Sequence, residues 1–193
     1  QVKDGDVTTN GDIVSSVFVG QRFITDGLGG FPGVPVYGGQ LGIGSGTISS
    51  KSWHANTPTK QSKFFNYSYF ENLTPDDVVF NDVSLLATGV GAVLYDGYEW
   101  YKTTTDLNIA SNINFDSRKV ILFVKSGNLN INGKINLTDG VGFFGTFVNG
   151  SINVNQAVSE IEGIYLTDTN FSTGAGNTAL WVRGSVASYG GIS

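Results

Sequence analysis

Apolar and polar residues alternate through residues 127 to 137, Gly-Asn-Leu-Asn-Ile-Asn-Gly-Lys-Ile-Asn-Leu, and the pattern returns elsewhere in the chain. Leu129 and Ile131, then Ile135 and Leu137, fall on one side of an extended backbone, as two half-buried strands require. Asn132-Gly133 interrupts the alternation where a corner is needed. Twenty-two residues upstream, Leu107, Ile109, Ile113 and Phe115 occupy the same positions. Residues 5 to 13 repeat the unit with Asn10-Gly11 at the corner, and residues 39 to 48 form a looser copy.

Further on, an apolar run followed by a short strand recurs four times. Taking Leu129, Ile152, Phe171 and Val186 as equivalent gives spacings of 23, 19 and 15 residues. Such intervals fit successive turns of a parallel β-helix, each burying its inward side chains on its neighbours. A β-sandwich is the alternative, but an antiparallel sandwich gives no reason for one corner sequence to recur. The expectation is a mainly β, solenoid-like single domain over residues 1 to 193.

Two interruptions depart from this period. In residues 62 to 86, Phe65, Tyr69 and Leu73 sit four apart, with Phe70 adjacent, which predicts one apolar helical face. Thr74-Pro75-Asp76-Asp77 reads as the start of a second short helix. Both helices are expected to cover the side or an end of the strand stack, because an uncovered edge invites pairing with other chains. Asp96-Gly97, between two strand-forming runs, predicts a hairpin with a type I′ turn.

Composition narrows the function classes. Charged residues make up only 14%, well below the usual quarter, while Gly reaches 27 and Asn 17. A net charge of −5 with 11 Lys and Arg lacks the basic footprint of a nucleic-acid partner. No apolar run approaches the length that spans a membrane, so no membrane insertion is expected within this chain. Absence of Cys removes thiol chemistry. Gln at position 1 with no Met in the chain reads as a processed or excised polypeptide, and the low-charge, Asn- and Gly-rich composition favours an extracellular or cell-surface location.

Candidate chemistry is sparse. His54 is the single histidine, and a zinc site or a Ser-His-Asp triad would need partners the sequence does not place beside it. The glycine-rich residues 26 to 47 contain no G-x-x-x-x-G-K-[ST] and read as tight corners rather than a phosphate loop. Carboxylates are scattered without a calcium-loop pattern; calcium remains the one ion to weigh, and no cofactor is expected. A β-helix polysaccharide lyase or glycosidase would need carboxylates beside a basic residue, yet Lys125 and Arg183 fall several turns apart. Tyr95, Tyr98 and Trp100 around the hairpin offer aromatic faces for sugar rings, although aromatic cross-strand pairs also stabilise a hairpin by themselves. Asn108, Asn112, Asn114, Asn128, Asn130, Asn132 and Asn136 are positioned to form hydrogen-bonded ladders.

The segments at residues 31 to 38, 116 to 124, 161 to 165 and 182 to 187 together resemble a domain of large exported surface proteins of ultrasmall candidate-phyla (Patescibacteria-type) bacteria. That resemblance implies a place within a longer exported polypeptide and carries no catalytic residue onto this chain. The resulting expectation is a non-enzymatic structural or adhesive surface module forming a rigid stalk, layer or filament by strand stacking. Its partners would be neighbouring domains or copies of itself, joined through open edges at Val7, Val186 and Ile192. The alternative is a carbohydrate-binding module or polysaccharide-degrading β-helix that takes a cell-surface glycan.

Overall fold

The twenty-two-residue repeat becomes two stacked turns in the computed structural model, which describes residues 1–3, 5–27, 29–57, 65–176 and 178–193. In chain order, β1 (Val2–Lys3), β2 (Val7–Thr9) and β3 (Ile13–Val17) make one turn, and β4 (Ile24–Thr25), β5 (Pro35–Tyr37) and β6 (Leu41–Gly44) the next, with β7 (Ala55–Asn56) beginning another. Helix α1 (Tyr67–Asn72), a single 3-10 turn at Val83–Leu85 and the hairpin of β8 (Leu94–Tyr95) and β9 (Tyr98–Thr103) follow. The winding resumes through β10 (Leu107–Ile109), β11 (Ile113–Asp116), β12 (Lys119–Val124), β13 (Leu129–Ile131) and β14 (Ile135–Leu137). It continues as β15 (Phe143–Val148), β16 (Ile152–Val154), β17 (Glu160–Thr167), β18 (Asn170–Ser172), β19 (Trp181–Ser188) and β20 (Gly191–Ile192).

Every ladder except the β8–β9 hairpin is parallel, so the sandwich is excluded and the chain is a β-solenoid of about 8 turns. Three faces surround one core. The first stacks β9, β12, β15, β17, β19, β2, β5 and β7; the second stacks β10, β13, β16, β18, β20, β3 and β6. The third runs from β11 and β14 through the first halves of β17 and β19 to β1 and β4. A long inward column runs along each face. Tyr101, Leu122, Thr146, Tyr165, Val186 and Val7 are in register on the first, and Leu107, Leu129, Ile152, Phe171, Ile192 and Ile13 on the second. Ile113, Ile135, Ile161, Val182, Val2 and Ile24 fill the third. Mostly apolar residues stacked about 4.8 Å apart bury one another from turn to turn, which is why the alternation recurs.

One member of these columns is out of place. Thr146 is fully buried between Leu122 and Tyr165, and its hydroxyl has no hydrogen-bond partner. Substituting the near-isosteric valine removes that unanswered hydroxyl, so Thr146→Val is expected to stabilise the chain by about 1 kcal/mol in urea denaturation.

The stack order differs from the sequence order. The turns at residues 1 to 25 sit on the far side of β19 and β20, so the amino-terminal part continues the solenoid beyond the carboxy-terminal part. The equivalence at residue 186 is also corrected: the partner of Phe171 is Ile192, whereas Val186 lies on the first face opposite Tyr165. The last interval is therefore 21 residues rather than 15, in line with the others. Gly184, like Gly163, bends the middle of a strand at positive φ (135° and 133°), so the apolar residue two positions on belongs to the first face and not to the second.

The covers are smaller than the periodicity predicts. Residues 62 to 64 lie outside the described residues, and α1 is one six-residue helix capped by the Asn66 side chain, which accepts from Tyr69 N. Its buried face is Tyr67 and Phe70, set against Phe123 and Phe147 on the outside of the first face, while Phe65, Tyr69 and Leu73 point to solvent. Glu71 clamps α1 to the wall through Lys102 (2.6 Å) and Lys125 (3.2 Å). Thr74-Pro75-Asp76-Asp77 forms a turn closed by Val78 N to Pro75 O rather than a helix; the β-branched run after it extends so that Asn81 N can reach Trp100 O. The 3-10 turn takes its cap from Asp82 instead. Residues 81 to 93 form a lid over the β9 end, with Leu86 buried in the core and the Asn81 side chain bonding both backbone groups of Val93.

Candidate functional site

Val7, Val186 and Ile192, expected as an open assembly surface, lie in the middle of the stack. Val186 is in register with Val7, Ile192 with Ile13, and all are buried. The strands that would have offered bare edges satisfy each other within the chain, so the expected interface is closed. Among the described residues, the outermost strands are instead β4, β6 and β7 at one end and β8, β9, β10 and β11 at the other, where the lid meets β9.

The hairpin forms with Asp96 and Gly97 both at positive φ (50° and 77°), as a type I′ turn requires. Its aromatics are half-buried and already engaged. Trp100 lies parallel to Phe123 at 6.4 Å and directs its indole N–H to Tyr95 O, while Tyr98 meets Phe143 edge-on and carries Lys119 over its ring. Tyr95 pairs with Tyr98 across the turn. These rings stabilise the hairpin and its seat on the wall; they do not form one open platform.

Charge concentrates at the bend in β17 and β19. Arg183 contacts Glu162 at 3.0 Å, Asp139 at 3.1 Å and Glu160 at 3.6 Å. Glu162 is buried and also accepts from Leu137 N at 2.6 Å. The carboxylates converge on a guanidinium, and no group of three or more possible metal ligands occurs among the described residues. Lys125 pairs with Glu71 rather than with any of these carboxylates, so the two cations are engaged separately. His54 stacks on Tyr37, with its Nδ1 3.0 Å from the tyrosine hydroxyl.

The most regular outward surface lies on the second face. Asn108, Asn130 and Asn153 are in register, and Asn153 donates to Asn130 at 3.0 Å. Beside them, Asn155 donates to Asn132 (3.1 Å) and Asn132 to Asn108 (2.5 Å). Together they line a shallow groove. No family model, no curated protein and no solved structure matches this chain. Any functional argument therefore rests on such surfaces.

Each carboxamide in the comb uses part of its capacity along the ladder and keeps the rest for solvent or a ligand. Asn153 and Asn155 extend the comb beyond the residues expected from the sequence; their Asn-Val-Asn copies the outward, inward, outward order of Asn130-Ile131-Asn132. The other predicted Asn residues divide by position. Asn128 and Asn112 sit at corners and accept from Ser151 N and Lys134 N of the following turn, whereas Asn114 and Asn136 pair on the third face.

Proposed function

We propose that the chain is a non-catalytic structural or adhesive module of an extracellular surface protein, serving as a rigid rod. The single observation that carries this reading is the stack, continuous on the first and third faces, in which the amino-terminal turns seat on the carboxy-terminal ones. Eight turns at about 4.8 Å make a rod about 40 Å long whose rigidity comes from continuous ladders rather than from separate domains. With one end lidded and β6 and β7 outermost at the other among the described residues, a stalk or a tip-to-tip pair suits the rod better than a growing filament. Light scattering across a concentration series, with electron microscopy of the densest sample, tests this. The expected particles are single or paired rods; fibres lengthening with concentration would replace the stalk with a filament subunit.

A second reading, glycan binding, is favoured by the Asn comb, whose repeated carboxamides match the repeated hydroxyls of an extended polysaccharide. Retention on a panel of immobilised polysaccharides that falls for Asn130→Ala with Asn153→Ala, but not for Tyr98→Ala, would support it. Equal retention of parent and variants would remove it.

A further inference from the structure

Two aromatic rings stand uncovered on the loops that join the third face to the first. Among the described residues from 20 to 57, Phe31 (66% exposed) and Trp53 (45%) are the only large apolar side chains left in solvent. Their ring centroids lie 6.4 Å apart, with planes 6° from parallel. They belong to consecutive turns: Ile24 N donates to Ile48 O before the two loops, and Val36 pairs with Ala55 after them. Both loops are fixed by their own backbone. Gly30 N donates to Gly27 O at 2.9 Å with Gly30 at a φ of 71°, which closes the loop that carries Phe31. Ser52 N donates to Ser49 O at 3.3 Å, and Ser52, directly before Trp53, takes a φ of 55° that disfavours a residue with a Cβ. Ser50 Oγ donates to Asp26 Oδ1, which ties one loop to the other, and Arg22 pairs with Asp26 at 3.6 Å. The rings are therefore in place before any ligand arrives.

We propose that Phe31 and Trp53 form a binding platform for the sugar rings of a neutral polysaccharide. A pyranose presents C–H groups on its face, which meet an aromatic π-face, and hydroxyls at its rim, which need polar neighbours. Gly29, Gly30, Ser50, Lys51 and Ser52, which precede the two rings in sequence, are all exposed, so hydroxyl and backbone partners are to hand while the apolar area is limited to two ring faces. That area suits one or two sugars and falls far short of the roughly 800 Å² per side of a stable protein interface. Arg22 and Asp26 offset one another, and Lys51 is the only other charge in residues 26 to 31 and 49 to 53, so the loops gather no cluster of like charge for an ionic ligand. Parallel ring planes on successive turns let a chain of sugars lie flat on one ring and reach the other in the same orientation. The ligand class is that of the glycan reading above but the site is a different one, so each can fail alone.

The test is native affinity electrophoresis of chain 1–193 through gels cast with hydroxyethylcellulose, arabinoxylan, galactomannan or dextran, with alginate as the anionic comparison. At least one neutral gel is expected to retard the parent, and Trp53→Ala and Phe31→Ala should each weaken that binding about fivefold or more. Trp181 is exposed to nearly the same degree (41%) but has no ring beside it, so Trp181→Ala should bind like the parent, as should Asn130→Ala with Asn153→Ala. No retardation in any neutral gel, retardation by alginate alone, or equal binding by parent, Trp53→Ala and Phe31→Ala would each overturn the platform. Binding lost in the Asn variant and kept in Trp53→Ala would overturn it too, and would assign the glycan to the Asn comb instead.

Discussion

A Gly184→Ala chain is expected to melt about 10 °C below the parent in a circular-dichroism scan. Gly184 sits in a column with Gly163, Gly5 and Gly33, one per turn, where the third face bends into the first. A Cβ on Gly184 would fall inside the van der Waals envelope of the Gly163 carbonyl oxygen, and one on Gly5 would meet the Gly184 oxygen in the same way. These neighbours are backbone atoms fixed by ladders on both sides, so they cannot turn aside as a flexible side chain would. The φ of 135° at Gly184 adds strain for any L side chain. Strain and overpacking together amount to about 3–5 kcal/mol. In a chain of this length each kcal/mol moves the midpoint by about 2–4 °C. Gly42 on the β6 edge, where an added Cβ meets nothing, provides the control: Gly42→Ala should change stability by less than about 0.5 kcal/mol. A Gly184→Ala midpoint as close to the parent as that of the control would refute close backbone approach as the reason for the column.

Arg118→Met is expected to cost about 3–5 kcal/mol near neutral pH and to reverse the pH dependence of stability. Arg118 holds Glu99 through two hydrogen bonds, Nε to Oε1 at 2.8 Å and Nη2 to Oε2 at 2.6 Å, and Tyr101 donates to the same carboxylate at 2.6 Å. The guanidinium also bonds Leu86 O and Ala87 O, tying the lid to the end of the core. Burial alone would push the Glu99 carboxyl up; the hydrogen bonds from Arg118 and Tyr101 and the Arg118 charge outweigh it and hold the group below the ordinary range. In the parent this contribution is complete above the unfolded value of about 4.3 and fades as pH falls through the lower folded value. Without Arg118, burial dominates and the folded value rises above the unfolded one. The variant should then lose stability as pH rises from 4 towards 7, and the difference from the parent should shrink in acid. Denaturant titrations at about pH 4 and 7 measure this directly. Adding Glu99→Gln should restore much of the loss at neutral pH, because the charge left behind is then gone. A loss of equal size at both pH values would mean that packing, rather than the ion pair, holds the lid.

The repeat was legible in the sequence because its cause is local. Leu107, Ile109 and Ile113 stack on Leu129, Ile131 and Ile135, the register read from the alternation. The Asp96-Gly97 turn was legible for the same reason, since positive φ at two successive positions is a property of those two residues. The order of the turns was hidden because it is non-local: nothing around Val7 says that its neighbour is Val186 rather than the next segment of the chain. A glycine required by close approach looks like a glycine required by a corner, and this confusion placed Val186 where Ile192 belongs. On α1, four-residue spacing picked Phe65, Tyr69 and Leu73, but a helix of six residues has too few turns to establish a face. Tertiary contact with Phe123 and Phe147 chose Tyr67 and, of the expected face, Phe70 alone. The Asn ladder was visible as composition, whereas its division into an outward comb and corner acceptors needed the register.

Closure of the amino-terminal turns onto the carboxy-terminal ones is most directly tested by a single cross-link. Thr8 and Ala187 are register partners on neighbouring strands, and the chain contains no cysteine of its own. The double variant Thr8→Cys with Ala187→Cys, oxidised at low concentration and run on a non-reducing gel, should give a monomer with one internal disulfide and faster mobility. Covalent dimers and longer chains, or thiols that stay free in the folded protein, would mean that the two edges face outward, and would contradict the closed stack.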